Sequence, residues 1–114
     1  MTTIPTTHTS TERQVTAAMA LAYMLRAGVP DAEWRITRDG HLYGHVTNPL
    51  DRDTRRDMRR YAQFLGGRLL AEDGGTGRVA WVHLSVTATY RGAPVTVWAH
   101  TCVTPISSST EDAR

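Results

Sequence analysis

Along the chain, apolar residues first recur at helical spacing, then alternate, return to helical spacing, and finally alternate over two long stretches. The first helix should begin near Thr9 or Ser10, where Thr9 and Glu12 form a capping-box pattern. It should run to about Ala27, because Gly28 suits a left-handed cap and Pro30 prevents continuation. Ala17, Ala18, Leu21, Met24 and Leu25 share one side of this helix. Val15, Met19 and Ala22 widen the apolar arc past half the circumference, which predicts burial against two neighbours or against a partner chain.

Residues 33–46 read as a hairpin around Arg38-Asp39-Gly40. A three-residue loop with Gly40 left-handed pairs Ile36 with Leu42 and gathers Trp34, Ile36, Leu42 and Val46 on one face. Arg35, Thr37, His41, Tyr43 and His45 then share the other. A second helix follows, with Asn48 as its cap, Pro49 at the first helical position and Asp51 near the positive dipole end. Leu50, Thr54, Met58, Tyr61 and Leu65 form its apolar stripe, and Gly66-Gly67 ends it. Three strands are expected after it, at 69–72, 79–90 and 95–103, the first two joined by a flexible Gly-rich loop over 73–77. A two-residue Arg91-Gly92 turn sets Ala88 against Val95, Val86 against Val97 and Leu84 against Ala99. The order α-β-β-α-β-β-β predicts a two-layer α+β domain on an antiparallel sheet of about five strands.

That register also determines the opposite face. His83 falls across from His100, Trp98 across from Ser85, and Trp81 across from Cys102; Tyr43 and His45 join them from the first hairpin. A solvated sheet face ordinarily carries Thr, Ser and charges, so two Trp among imidazoles point to an interface. Tyr43, His45, Trp81, His83, Trp98 and His100 are therefore the candidate protein-binding residues, for a partner or for a second copy in a homodimer. The alternative is that one helix covers each face, which would make both Trp ordinary core.

Composition changes this picture little. The 114 residues leave room for one domain, expected over 10–104 with loose tails at 1–9 and 105–114. Thirteen basic residues, all Arg, face eleven acids for a net charge of +2, too small to argue by itself for nucleic acid. The absence of Lys reads as the codon bias of a GC-rich bacterial genome. A single Cys excludes an internal disulfide and suits a reducing compartment. With no secretory pattern and no apolar run of membrane length, a cytoplasmic protein without membrane association is expected.

Two other chemistries compete with protein binding. Arg52, Arg55, Arg56, Arg59 and Arg60 fill one sector of the second helix, a surface for nucleic-acid phosphates. Against it, Asp51–Arg55, Asp53–Arg56 and Asp57–Arg60 pairs would make the same sector an ordinary solvated helix face. The His83/His100 pair, with His45 or Cys102, has the donors of a small metal or catalytic site. It lacks an adjacent acid on its own strands to orient a ring, so no metal, cofactor or catalytic residue is assigned. No Gly-x-Ser-x-Gly context, phosphate-binding loop or carboxylate pair suggests another activity, and the chain reads as non-enzymatic.

Overall fold

A computed structural model describes residues 9–76 and 79–102 of the chain. The expected tails apart from Thr9, together with residues 77–78 and Val103, lie outside the described residues. The elements are α1 (Ser10–Ala27), β1 (Glu33–Ile36), β2 (Leu42–His45), α2 (Asp51–Leu65), β3 (Leu69–Thr76), β4 (Val79–Tyr90) and β5 (Ala93–Cys102). This is the expected α+β architecture, with one five-stranded sheet in the order β1-β2-β5-β4-β3.

Local signals account for most element ends. Thr9 Oγ1 accepts the Glu12 N–H and Glu12 Oε1 accepts the Thr9 N–H, closing the capping box of α1. Gly28, at φ 85°, ends the helix in the left-handed conformation. The first hairpin takes the three-residue loop: Ile36 pairs with Leu42, the Thr37 N–H donates to the His41 carbonyl, and Gly40 has φ 82°. A side chain at Gly40 would also strike the Arg13 backbone, so this loop is seated against the first turn of α1. Positive φ at both Arg91 and Gly92 gives the tight β4–β5 turn and the expected pairing from Trp81–Cys102 to Tyr90–Ala93.

Four expectations need correction. The sheet is mixed, because β2 and β5 pair in parallel, Leu42 beside Val95 and His45 beside Trp98. The first hairpin and the β3–β4–β5 meander each form by short connections, and α2 carries the chain between them, which lets their inner strands run the same way. Helix α2 starts at Asp51 with half-exposed Leu50 at its cap position; Asn48 instead donates to the Asp57 carboxylate from outside the helix. Strand β3 does not stop at Glu72 but stays paired through Thr76, so Gly74 and Gly75 belong to the sheet. In α1, Ala17, Ala20 and Met24 are buried, whereas Ala18 and Leu25 are exposed.

The core answers which face the helices cover. Ala17, Ala20 and Met24 of α1 and Met58 and Tyr61 of α2 join one buried cluster with Leu42, Leu84, Val86, Val95, Val97 and Ala99. Both helices therefore lie on the same side of the sheet. Beneath α2, the Tyr61 phenol donates to the Pro30 carbonyl, and Trp34 meets the Tyr61 ring edge-on at 6.1 Å. Burial, then the Asp57 and Asp31 charges, push the Tyr61 pKa far above the ordinary phenol range.

Candidate functional site

Among the described residues, no helix covers the sheet face opposite α1 and α2, and the register sorts its residues into rows. Arg35, Tyr43, Thr96 and Thr87 form one row across β1, β2, β5 and β4. Glu33, His45, Trp98, Ser85 and Leu70 form the next, across all five strands. Below them run His100, His83 and Glu72, then Cys102, Trp81 and Gly74. The six predicted binding residues thus stand together on one surface. The reading in which Trp81 and Trp98 are core under a helix is overturned by the placement of α1.

The rings are in mutual contact. His45 stacks on Trp98 at a centroid distance of 3.9 Å and an interplanar angle of 7°, with the His83 ring 5.8 Å from the same indole. His100 lies between the two indoles, 4.5 Å from Trp81 and 5.1 Å from Trp98. His100 Nε2 and His83 Nδ1 share a hydrogen bond of 2.9 Å, which requires one of the two nitrogens to be unprotonated. Partial burial, then the neighbouring His83 and His45, hold the His100 pKa below the ordinary imidazole value. On the adjoining row, His41 stacks on Tyr43 at 4.2 Å and hydrogen-bonds Thr96. A groove of about 320 Å³ opens beside Trp98, lined by Glu33, Trp34, Arg35, Tyr43 and His45.

Why the ring array lies as it does follows from β3. Gly74 pairs with Trp81, and a methyl group there would come within 2.3 Å of the indole. The missing side chain therefore gives Trp81 a flat seat across the edge strand. Trp34 uses Gly44 the same way on the helix-covered side, where a methyl would meet its ring at 2.8 Å. Sequence reasoning missed Gly74 because Asp-Gly-Gly ordinarily marks a loop. A glycine leaves no alternation to detect. The strands of the His pair carry no adjacent acid, as expected, but the pairing of β3 with β4 sets Glu72 directly across from His83.

The arginine sector forms in part. Arg52, Arg56, Arg59 and Arg60 are exposed on the outer side of α2. Only the Asp53–Arg56 pair forms of those expected, at 3.4 Å. Asp51 instead accepts the Cys102 N–H, Arg55 donates to the Cys102 carbonyl, and Asp57 is buried against Asn48 and Arg56. Two of the three acids that should have laced this face, Asp51 and Asp57, are engaged by the rest of the fold. Because α2 lies behind the sheet, its arginines and the aromatic face point to opposite sides of the molecule.

Among the described residues, no three His, Cys, Asp or Glu side chains converge as a metal would require. The ring nitrogens that have partners meet another imidazole or a threonine hydroxyl (His83–His100, His41–Thr96, His45–Thr47), so no carboxylate orients them by hydrogen bond. Cys102 is exposed at the end of β5 with its backbone held by α2. Among the described residues, no helix is long and apolar enough to cross a membrane.

Fold and site together define a small two-layer α+β protein with an aromatic and imidazole-rich sheet face that no described helix covers. No protein-family model, curated protein or solved structure matches the chain.

Proposed function

We propose that this protein is a non-enzymatic binding module that docks another polypeptide on the open face of its sheet. The observation that carries this reading is the placement of both helices on the other face, which leaves Trp81 and Trp98 part-exposed with no described helix over them. Indole and phenol rings contribute most to protein interfaces per side chain, and here they are already held by stacking. Docking onto held rings loses little rotamer entropy. The groove beside Trp98, with Arg35 and Glu33 at its rim, has room for a large side chain of the partner.

A partner of different sequence fits this face better than a second copy. Two copies related by a two-fold would lay imidazole on imidazole, and protonation would set like charges against each other. A photoreactive amino acid at Thr96 or Ser85 tests the reading in cells, with Arg59 on α2 as the control site. Covalent protein adducts are expected from the sheet positions and are lost with Trp98→Ala. Adducts from Arg59 alone would overturn it.

One observation supports a second reading, nucleic-acid binding through α2: Arg52, Arg59 and Arg60 have no ion-pair partner among the described residues. It requires a salt-dependent shift of DNA or RNA that is lost on charge reversal at Arg52, Arg59 and Arg60. Arg55 must be spared in that test, since it holds β5.

A further inference from the structure

The outer side of α1 is as apolar as its inner side. Val15, Met19, Tyr23 and Leu25 are 52, 58, 42 and 56% exposed, and Ala18 and Ala22 are exposed between them. No charged residue occurs from Gln14 to Leu25. The buried stripe of Ala17, Ala20 and Met24 docks α1 on the sheet. Of the outer residues Tyr23 is engaged within the fold, its ring lying 3.7 Å from the Arg91 guanidinium, which leaves Val15, Met19, Ala22 and Leu25 as the exposed apolar surface.

The charges at its two ends indicate what covers it. Glu12, Val15, Met19, Ala22 and Arg26 follow one another at spacings of three and four, a single straight stripe on the helix surface. An acid opens the stripe and a base closes it, each two helical turns from Met19. A stripe of that kind complements itself when reversed. We infer that α1 is a homodimer interface, in which two copies of the helix pack antiparallel about a two-fold axis at Met19.

In that arrangement Met19 meets Met19 of the second copy, and each Arg26 stands beside the other copy's Glu12. The two small residues Ala18 and Ala22 let the helix axes approach closely, while Tyr23 and Leu25 cover the flanks. The contact buries roughly 1,000 Å² over both copies, the low end for specific interfaces, so the dimer dissociates on dilution. Since α1 lies on the helical layer, dimerisation leaves both sheet faces open and pointing away from each other. The dimer is bivalent for whatever the sheet face binds. This inference does not rest on the sheet-face reading.

Sedimentation equilibrium of the full chain over a wide concentration range tests it. The mass should rise from one chain toward two, and Met19→Glu should raise the dissociation constant by about tenfold or more, because each copy would bury an unpaired charge. Ala22→Glu, at another exposed position on the stripe, should do the same, with circular dichroism confirming that each variant folds. Arg26→Glu should weaken the dimer by setting an acid beside the other copy's Glu12, and Arg26→Lys, which keeps the charge and leaves the Glu12 capping box intact, should not. A single-chain mass at every concentration, or a dimer indifferent to both Met19→Glu and Ala22→Glu, overturns the inference. If Trp98→Ala breaks the dimer while Met19→Glu does not, self-association belongs to the sheet face. The α1 interface then falls, and the sheet face still docks protein.

Discussion

At the scale of single residues, the open face holds one ring, His100, whose protonation is opposed by partial burial and by its imidazole neighbours. Because His100 has its pKa lowered in the folded protein, the unfolded chain binds the proton more readily. Its contribution to stability is therefore present above the ordinary imidazole pKa and lost as pH falls through the lowered value. NMR titration of the imidazole protons should find His100 titrating below the ordinary range, and His83→Asn should move it back upward. Tyr61 works in the opposite direction. Its raised phenol pKa means full stabilisation below 10.0, the ordinary phenol value, and loss as pH climbs beyond it. Tyr61→Phe leaves the Pro30 carbonyl without its donor and should cost about 1–3 kcal/mol in denaturant titration. Gly74→Ala forces a methyl against the Trp81 indole and should cost about 1–3 kcal/mol, with a changed tryptophan emission spectrum.

At the scale of elements, what was legible in the sequence depended on whether the signal was local. The capping box of α1, the loop around Gly40 and the Arg91-Gly92 turn are local chemistry, and the structure places each where the residue pattern does. The pairing of Val86 with Val97 follows from that turn, and so does the meeting of His83 with His100. The start of α2 was not legible, because Asn48 makes its hydrogen bond to Asp57 only when the helix is already in place. The extension of β3 was hidden for a similar reason: Gly74 is a strand residue here through its contact with Trp81, a partner supplied by another strand. Of the Asp–Arg pairs that the spacing predicts within α2, Asp53–Arg56 forms, yet Asp51 and Arg55 reach out to clasp both backbone groups of Cys102. This clasp joins the helix N-terminus to the end of β5. Asp51→Ala or Arg55→Ala should cost about 0.5–1.5 kcal/mol, with faster hydrogen exchange at the Cys102 amide in the Asp51 variant.

At the scale of the whole molecule, helices on one side and bare rings on the other give the protein two surfaces with separate chemistry. The parallel pairing of β2 with β5 makes the ring surface continuous, because it joins the hairpin that carries His45 to the meander that carries Trp98. The two strands of that pair lie roughly fifty residues apart in sequence, whereas the other pairings close through short connections, and long loop closures are the slow part of folding. The hairpin and the meander should therefore form early and the parallel seam late. In stopped-flow measurements Gly92→Ala, in the β4–β5 turn, should slow folding, whereas His45→Ala, which removes a ring contact across the seam, should chiefly speed unfolding. His45 and Trp98 stand on opposite sides of that seam, so their stack is an internal clock: indole emission should change in the final kinetic phase. The ring face is completed in that step: a chain interrupted before it holds Trp81, His83, Trp98 and His100 on the meander, but Tyr43, His45 and the groove beside Trp98 are not yet joined to them.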